Sequence, residues 1–207
     1  MESIVAALGA ALGDESTAVR IAAVAGLGMV GDAASPTAPR LIALSMEGDE
    51  TFRCEIARAL GTIGGEAGPT LDALVALLAD PAADVKCAAA KALGSLGEAA
   101  KPAVSALAEA LQDREEVVRE AAAETVARIG PLDESPADSL AEGLASPDTE
   151  VRAQTAQALG AIGAAAEEVA PALVEALDDD SDRVRAEAVE AIGKIGEGAA
   201  EVAVPGL

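Results

Sequence analysis

The sequence predicts an all-α solenoid, a stack of two-helix units that repeats every 33 residues. Three features recur at this spacing without insertion or deletion: an apolar residue followed by a basic one, a glycine, and a leucine. The pairs begin at positions 19, 52, 85, 118, 151 and 184, the glycines stand at 31, 64, 97, 130, 163 and 196, and the leucines at 8, 41, 74, 107, 140 and 173. Because three columns share one register, the 33-residue unit is interpreted as the unit of structure.

The first helix of a unit is clearest within residues 80–97. The dipeptide Asp80-Pro81 predicts a capped helix start with proline in the first turn. In neighbouring repeats the acidic residue equivalent to Asp80 is followed three positions later by a second acidic residue, as in a capping box. Glycine readily takes the left-handed conformation, so Gly94 and Gly97 are expected to end this helix. The predicted buried face follows helical spacing at positions 85, 88, 89, 92, 93 and 96.

A second helix is predicted to follow in each unit, beginning near Pro69, Pro102 or Ser135 and burying the leucine column. Each unit then has more apolar surface than it can bury alone, so stacking is expected to build one continuous core over residues 1–207. The expected divisions are a lone second helix at 1–13, full repeats at 14–46, 47–79, 80–112, 113–145 and 146–178, and a partial terminal repeat at 179–207.

Composition restricts the environment and the partners. Phe52 is the one aromatic residue, and the apolar runs at 6–12 and 21–30 are shorter than the roughly 20 residues that a membrane span needs. The start of the chain lacks the basic segment of a secretory signal, so a cytoplasmic location is expected. A formal net charge of −22 argues against binding to nucleic acid or to anionic membranes, and it favours a basic partner if the partner is charged.

The units resemble HEAT repeats of the phycobilisome-lyase type. The pattern of an acidic turn, then V-R, A-A, A-L-G and I-G, followed by alanine and leucine columns, matches nearly the whole chain. The resemblance implies a right-handed superhelix with first helices on the convex side and second helices on the concave side. Members of this family mostly act as protein-binding scaffolds, while a minority are subunits of enzymes that attach bilins to cysteine. Another branch uses metal-bound His-Glu pairs, which a chain without histidine does not match.

A basic column recurs at the second position of the apolar–basic pair. An anion-binding stripe is one interpretation; the favoured one is a structural ladder between units, formed with an acidic column that stands six residues earlier. The basic column comprises Arg20, Arg53, Lys86, Arg119, Arg152 and Arg185. The acidic column comprises Asp14, Glu47, Asp80, Asp113, Ser146 and Asp179.

Two further patterns suggest chemistry only weakly. Cys54 and Cys87 stand one period apart and off the predicted buried stripe, and cations four residues later would lower a thiol pKa, but helices packed 8 to 10 Å apart do not suit a disulfide. Chance retention of two small residues is the favoured interpretation. The acidic run at 178–182 lacks the glycine and the final glutamate of a calcium loop, and a capped turn is expected. We therefore expect no metal, no cofactor and no catalytic group.

The second helices carry the best candidate for a partner-binding surface. Glu109, Glu142 and Glu175, here called the glutamate column, stand at 33-residue steps, and Asp72 and Asp138 lie four residues before positions of the same column. If the second helices line the concave side, this face is an acidic trough toward the C-terminal half. An ordinary hydrated helix face remains the alternative.

Two functions follow as hypotheses. The first is a non-enzymatic scaffold or adaptor that binds a protein or peptide along the concave face, either alone or as a fragment of a longer repeat protein; a charged partner is expected to be basic. The alternative is a bilin-lyase-like enzyme subunit. Both ends of the repeat array lack the polar cap that solenoids usually carry, which favours either further repeats or head-to-tail self-association.

Overall fold

The computed structural model of the protein describes residues 2–64, 67–129 and 140–196, and the secondary structure of these residues consists of helices and turns without strands. The all-α prediction is therefore confirmed. Two compact units divide the chain, Met1–Ala100 and Lys101–Leu207. Among the sequence predictions, Gly130, Ser135, Asp138 and the end of the terminal repeat, residues 197–207, lie outside the described residues.

The α-helices follow the repeat along the chain. The first unit contains α1 (Glu2–Ala11), α2 (Thr17–Val30), α3 (Ala38–Leu44), α4 (Glu50–Ile63), α5 (Ala67–Leu78) and α6 (Ala83–Leu96). The second unit contains α7 (Val104–Ala110), α8 (Glu116–Ile129), α9 (Thr149–Ile162), α10 (Ala170–Glu175) and α11 (Asp182–Ile195). Short 3-10 helices occur at Gly31–Thr37, Gly97–Ala103, Glu142–Ala145, Gly163–Val169 and Ala176–Asp178.

The first helices reproduce the sequence period closely. Helices α2, α4, α6, α8, α9 and α11 are each 14 residues long, and their first residues are 33 positions apart. Each described member of the glycine column follows such a helix directly, and these glycines have positive φ, from 57° at Gly97 to 99° at Gly196. Residues with a Cβ rarely adopt this conformation, which explains why glycine ends the helix in every described repeat.

Two details of the predicted first helix are wrong. Gly94 does not end α6, because it is a buried helical residue and only Gly97 leaves the helix. Asp80 is not the N-cap residue either: α6 begins at Ala83 with Ala82 as N-cap, and the Asp80 carboxylate accepts a hydrogen bond from the Ala82 amide at 2.9 Å. The acidic column therefore closes a turn two residues before the cap.

Side-chain caps come from the N-cap position itself in two repeats. The carboxylate of Asp49 accepts from the Phe52 amide at 2.9 Å, and that of Asp148 accepts from the Glu150 amide at 2.8 Å. These bonds satisfy amides that a helix start leaves without an intrahelical partner.

The second helices differ from the prediction in their shape. Among the second helices that the structure describes, α5 is the longest continuous α-helix, with 12 residues and with Pro69 near its start. In other repeats a 3-10 helix of seven residues comes first, with Pro36 or Pro102 inside it, and a short α-helix follows. Proline has no amide hydrogen to donate, which limits regular α-helical hydrogen bonding at these positions.

Within each unit, first helices pack on first helices and second helices pack beside them. In the first unit α4 contacts both α2 and α6, and in the second unit α9 contacts both α8 and α11. Five members of the leucine column are at most 1% exposed, namely Leu41, Leu74, Leu107, Leu140 and Leu173, whereas Leu8 on α1 is half-buried. Phe52, which replaces valine in its column, is also buried in the core.

Within the part of the chain that the structure describes, one helical stretch is long and apolar enough to span a membrane. Residues Thr17–Leu44 form 28 helical residues with a mean hydropathy of 1.3 over the tested window. The stretch is two helices rather than one, because Gly31 has positive φ and Pro36 lies in the 3-10 segment that separates α2 from α3. Val24, Leu27 and Leu41 are buried in the protein core, so this single stretch is weak evidence for a membrane.

Candidate interaction surface

Arg53 connects two neighbouring repeats in the first unit. Its Nη1 donates to the carbonyl oxygen of Gly48 at 2.9 Å, while Nε and Nη2 donate to the two carboxylate oxygens of Asp80 at 2.7 and 3.0 Å. The Asp80 side chain is 1% exposed and that of Arg53 is 15% exposed. The guanidinium thus anchors the turn before its own helix and the turn that begins the next repeat.

The charge state of Asp80 follows from these contacts. Burial alone would raise the pKa of this carboxyl, but hydrogen bonds from Arg53 and from the Ala82 amide outweigh burial, and the pKa lies below its ordinary value. The same pairing raises the pKa of Arg53. Both groups therefore stay charged at neutral pH, and the ion pair is bidentate.

The second unit repeats this arrangement. Arg152 donates to the carbonyl oxygen of Ser146 at 3.0 Å and to both oxygens of Asp179 at 2.7 and 2.9 Å, and its Nη2 also contacts Asp180 at 2.9 Å. The hydrogen bond from Arg152 is the largest cause of a strongly lowered pKa at Asp179. The acidic run at 178–182 therefore includes two carboxylates that join repeats.

These pairs show which groups the arginines of the basic column contact and in which repeat those groups lie. Within a unit, arginine contacts a backbone carbonyl five or six residues earlier; the carboxylates that Arg53 and Arg152 bind belong to the following repeat, 27 residues later. The structure thus does not pair these arginines with a carboxylate six residues earlier. The preceding turn supplies main-chain carbonyl oxygens instead, that of Gly48 for Arg53 and that of Ser146 for Arg152.

The other members of the basic column have different surroundings from those of Arg53 and Arg152. Arg119 lies 3.7 Å from the carboxylate of Asp148, which stands two residues after the serine that interrupts the acidic column. Arg20 lies over the Phe52 ring, with its guanidinium carbon 5.4 Å from the centroid. Lys86 on α6 and Arg185 on α11 are both half-buried.

Neighbouring first helices also approach each other closely at a recurring glycine. A Cβ at Gly61 would lie 2.8 Å from the Cα of Ala92, and one at Gly160 would lie 2.8 Å from the Cα of Ala191. Only glycine permits the two backbones to come this near. This role of glycine was not predicted from the sequence, although the recurrence of glycine at positions 28, 61, 94, 160 and 193 is a signal for it.

The glutamate column lies on the second-helix side of the second unit. Glu109 is on α7, Glu142 begins the 3-10 helix Glu142–Ala145, and Glu175 ends α10; all three are exposed. Among the residues that the structure describes, none pairs with these carboxylates in an ion pair. Asp72 is exposed on α5 in the first unit, whereas Asp138 lies outside the described residues.

The cysteines lie in a different environment from the one predicted. Cys54 is buried, and burial raises the pKa of its thiol despite the nearby Arg58. The hypothesis of an activated thiol at Cys54 is therefore wrong, because desolvation outweighs the cation. Cys54 and Cys87 are not joined by a disulfide. Within the described ranges, no group of three or more His, Cys, Asp or Glu residues has a metal-binding arrangement.

Comparison with known proteins identifies the repeat. The family model for HEAT repeats matches residues 5–71, 37–127, 71–146 and 137–207, which together span nearly the whole chain. No curated protein sequence matches the chain significantly.

Solved structures show the same architecture. One engineered protein is similar with a TM-score of 0.65 at 22% identity, over 96% of this chain and 98% of its own. A designed armadillo repeat protein in complex with the peptide (KR)4 has a TM-score of 0.60 at 19% identity, over 92% of this chain and 98% of its own. At these identities the likeness shows the fold alone, and it confirms the predicted α-solenoid.

Proposed function

Because the chain belongs to the HEAT-repeat family, we propose that it is a non-enzymatic scaffold or adaptor that binds a basic protein or peptide along its second helices. In this proposal residues 1–207 form one solenoid in the cytoplasm, and the concave face carries the partner. The observation that carries the proposal is the glutamate column, whose three exposed carboxylates lack an ion-pair partner among the described residues.

The distribution of cations supports this choice. Arg53 and Arg152 are held by carboxylates of the next repeat, and Arg119 lies near Asp148. These cations sit among first helices and do not neutralise the glutamate column. A surface with a repeated, uncompensated negative charge favours a positively charged ligand. The designed armadillo protein in complex with (KR)4 is an example of a similar fold with a basic peptide.

A peptide-binding experiment tests the proposal. A fluorescent peptide of four Lys-Arg pairs is titrated with the protein, and its anisotropy gives the dissociation constant at low salt and at about 0.15 M salt. The triple variant Glu109→Gln, Glu142→Gln and Glu175→Gln should bind roughly tenfold more weakly, since three exposed attractions are lost. Salt should weaken binding of the wild-type protein more than that of the variant, because exposed pairs are screened.

A matched control separates the site from overall charge. Glu120 and Glu124 on α8 and Glu187 on α11 lie on first helices of the same unit, and replacing all three by glutamine changes the net charge by the same amount. This control variant should bind the peptide as the wild-type protein does. If both triple variants lost the same affinity for the peptide, only the net charge of the protein would matter, and the proposed binding face would be wrong.

The bilin-lyase alternative makes a different prediction. A lyase subunit should hold a tetrapyrrole, and mixing the purified protein with bilin would then shift the visible absorption band. A scaffold that acts through the glutamate column should leave the spectrum of the bilin unchanged.

A further inference from the structure

Helices α2 and α11 carry the two halves of the interface that joins neighbouring repeats within each unit. That interface has two recurring parts: an arginine of one repeat bound to the aspartate of the next, and a glycine of one first helix lying against a small residue of the next. Arg53 with Asp80 and Gly61 with Ala92 form it in the first unit.

The half on α11 has no partner within the described residues. Arg185 donates through Nη1 to the carbonyl oxygens of Asp179 and Asp180 at 2.8 and 3.2 Å, as Arg152 does in its own turn, but no described carboxylate pairs with it. A Cβ at Gly193 would meet no atom within 4 Å, whereas the same position at Gly160 lies against Ala191.

The half on α2 is equally open. Asp14 accepts a hydrogen bond from the Ser16 amide at 2.8 Å, which is the turn that Asp80 and Asp179 form, yet it is exposed and no described cation pairs with it. Val19 is 41% exposed, while Phe52 at the equivalent position of the next repeat is 1% exposed because it is covered. This surface therefore offers an unpaired carboxylate and an uncovered apolar side chain at the positions where the next repeats have Asp80, which binds Arg53, and the buried Val85.

We propose that a second copy of this chain covers these surfaces head to tail, with Arg185 of one copy bound to Asp14 of the next and Gly193 lying against α2. The two surfaces are complementary in charge, and each continues an interface already present inside the chain. Such a contact is heterologous, so each added copy can offer a free surface to a further copy, and the assembly is expected to grow with concentration. The glutamate column takes no part, and self-association is independent of the proposed peptide-binding function.

Sedimentation velocity over a concentration series tests the proposal at about 0.15 M salt, where the long-range repulsion between chains of charge −22 is screened. The wild-type protein should exceed its monomer mass of 20.3 kDa progressively as concentration rises. Asp14→Arg alone and Arg185→Asp alone should each weaken association at least about tenfold, because attraction becomes repulsion. The double variant carries the reversed pair and should associate again.

Two charge controls and a second interface variant make the result decisive. Glu124→Arg and Arg114→Asp introduce the same charge changes at exposed positions outside the interface and should leave association unchanged. Gly193→Ala should keep or raise the thermal midpoint of folding, since its Cβ has free space, and should still weaken association. Circular dichroism identifies any variant that fails to fold. The proposal would be overturned if the wild-type protein kept its monomer mass at all concentrations, or if the Asp14 and Gly193 variants associated as strongly as the wild-type protein.

Discussion

Arg53 and Asp80 join two neighbouring repeats through a bidentate ion pair in which the aspartate side chain is almost completely buried. Removal of the arginine would leave a carboxylate without its charge partner in a site that water scarcely reaches. Such a group costs free energy because neither water nor protein compensates its charge.

The first prediction concerns this pair. Arg53→Gln should lower the free energy of unfolding by about 2 to 3 kcal/mol, measured by urea denaturation. Arg58→Gln on the same helix is the control, because Arg58 is 61% exposed and pairs with Glu55 at the surface. The control should cost less than about 1 kcal/mol. Equal effects of the two changes would show that burial of Asp80 does not matter.

The second prediction is a pH dependence. The pKa of Asp80 is lowered in the folded protein, so its contribution to stability is present above the pKa of the unfolded chain, about 3.9, and is lost as pH falls through the folded value. The difference in unfolding free energy between the wild-type protein and Asp80→Asn should therefore be constant near neutral pH and shrink below about pH 4. A difference that grows on acidification would contradict the lowered pKa.

The third prediction tests the close approach between first helices. Gly61→Ala places a Cβ against the backbone of Ala92 and should destabilise the protein by about 1 to 3 kcal/mol. Gly193→Ala is the matched control at the same position of another repeat, where the space is open. It should stabilise the monomer by up to about 1 kcal/mol, because alanine favours a helix more than glycine does. Thermal unfolding at low protein concentration measures both.

The fourth prediction concerns Gly143 and Thr155. A Cβ at Gly143 would clash with the Thr155 hydroxyl, which is buried and has no hydrogen-bond partner among the described residues. Gly143→Ala alone should therefore be destabilising, and Thr155→Ala alone should be nearly neutral because it removes an unpaired polar atom.

A double-mutant cycle gives the measurement for this pair. The variant with alanine at both positions matches the neighbouring repeats, which carry alanine at 110 and 122 and at 176 and 188. The free energy of unfolding of this double variant should exceed, by about 1 kcal/mol or more, the value expected from adding the effects of the two single changes. Strict additivity would mean that the two side chains do not share one space.

The fold class and the register of the repeats follow from the order of residues alone. The first helices begin and end at 33-residue steps, the described glycines of one column end them, and five of the six leucines in the leucine column are buried. These features depend on the local conformation of glycine and on the helical spacing of apolar residues, and both are written in the order of residues along one unit.

The contacts between neighbouring repeats, in contrast, depend on how the helices pack in three dimensions. A carboxylate six residues before an arginine and one 27 residues after it belong to the same column, so a 33-residue period cannot distinguish them; the stacking of helices selects the second for Arg53 and Arg152. Packing likewise buried Cys54 and kept Gly94 inside its helix. These outcomes depend on distances between helices of different repeats, which the spacing of residues within a repeat does not specify.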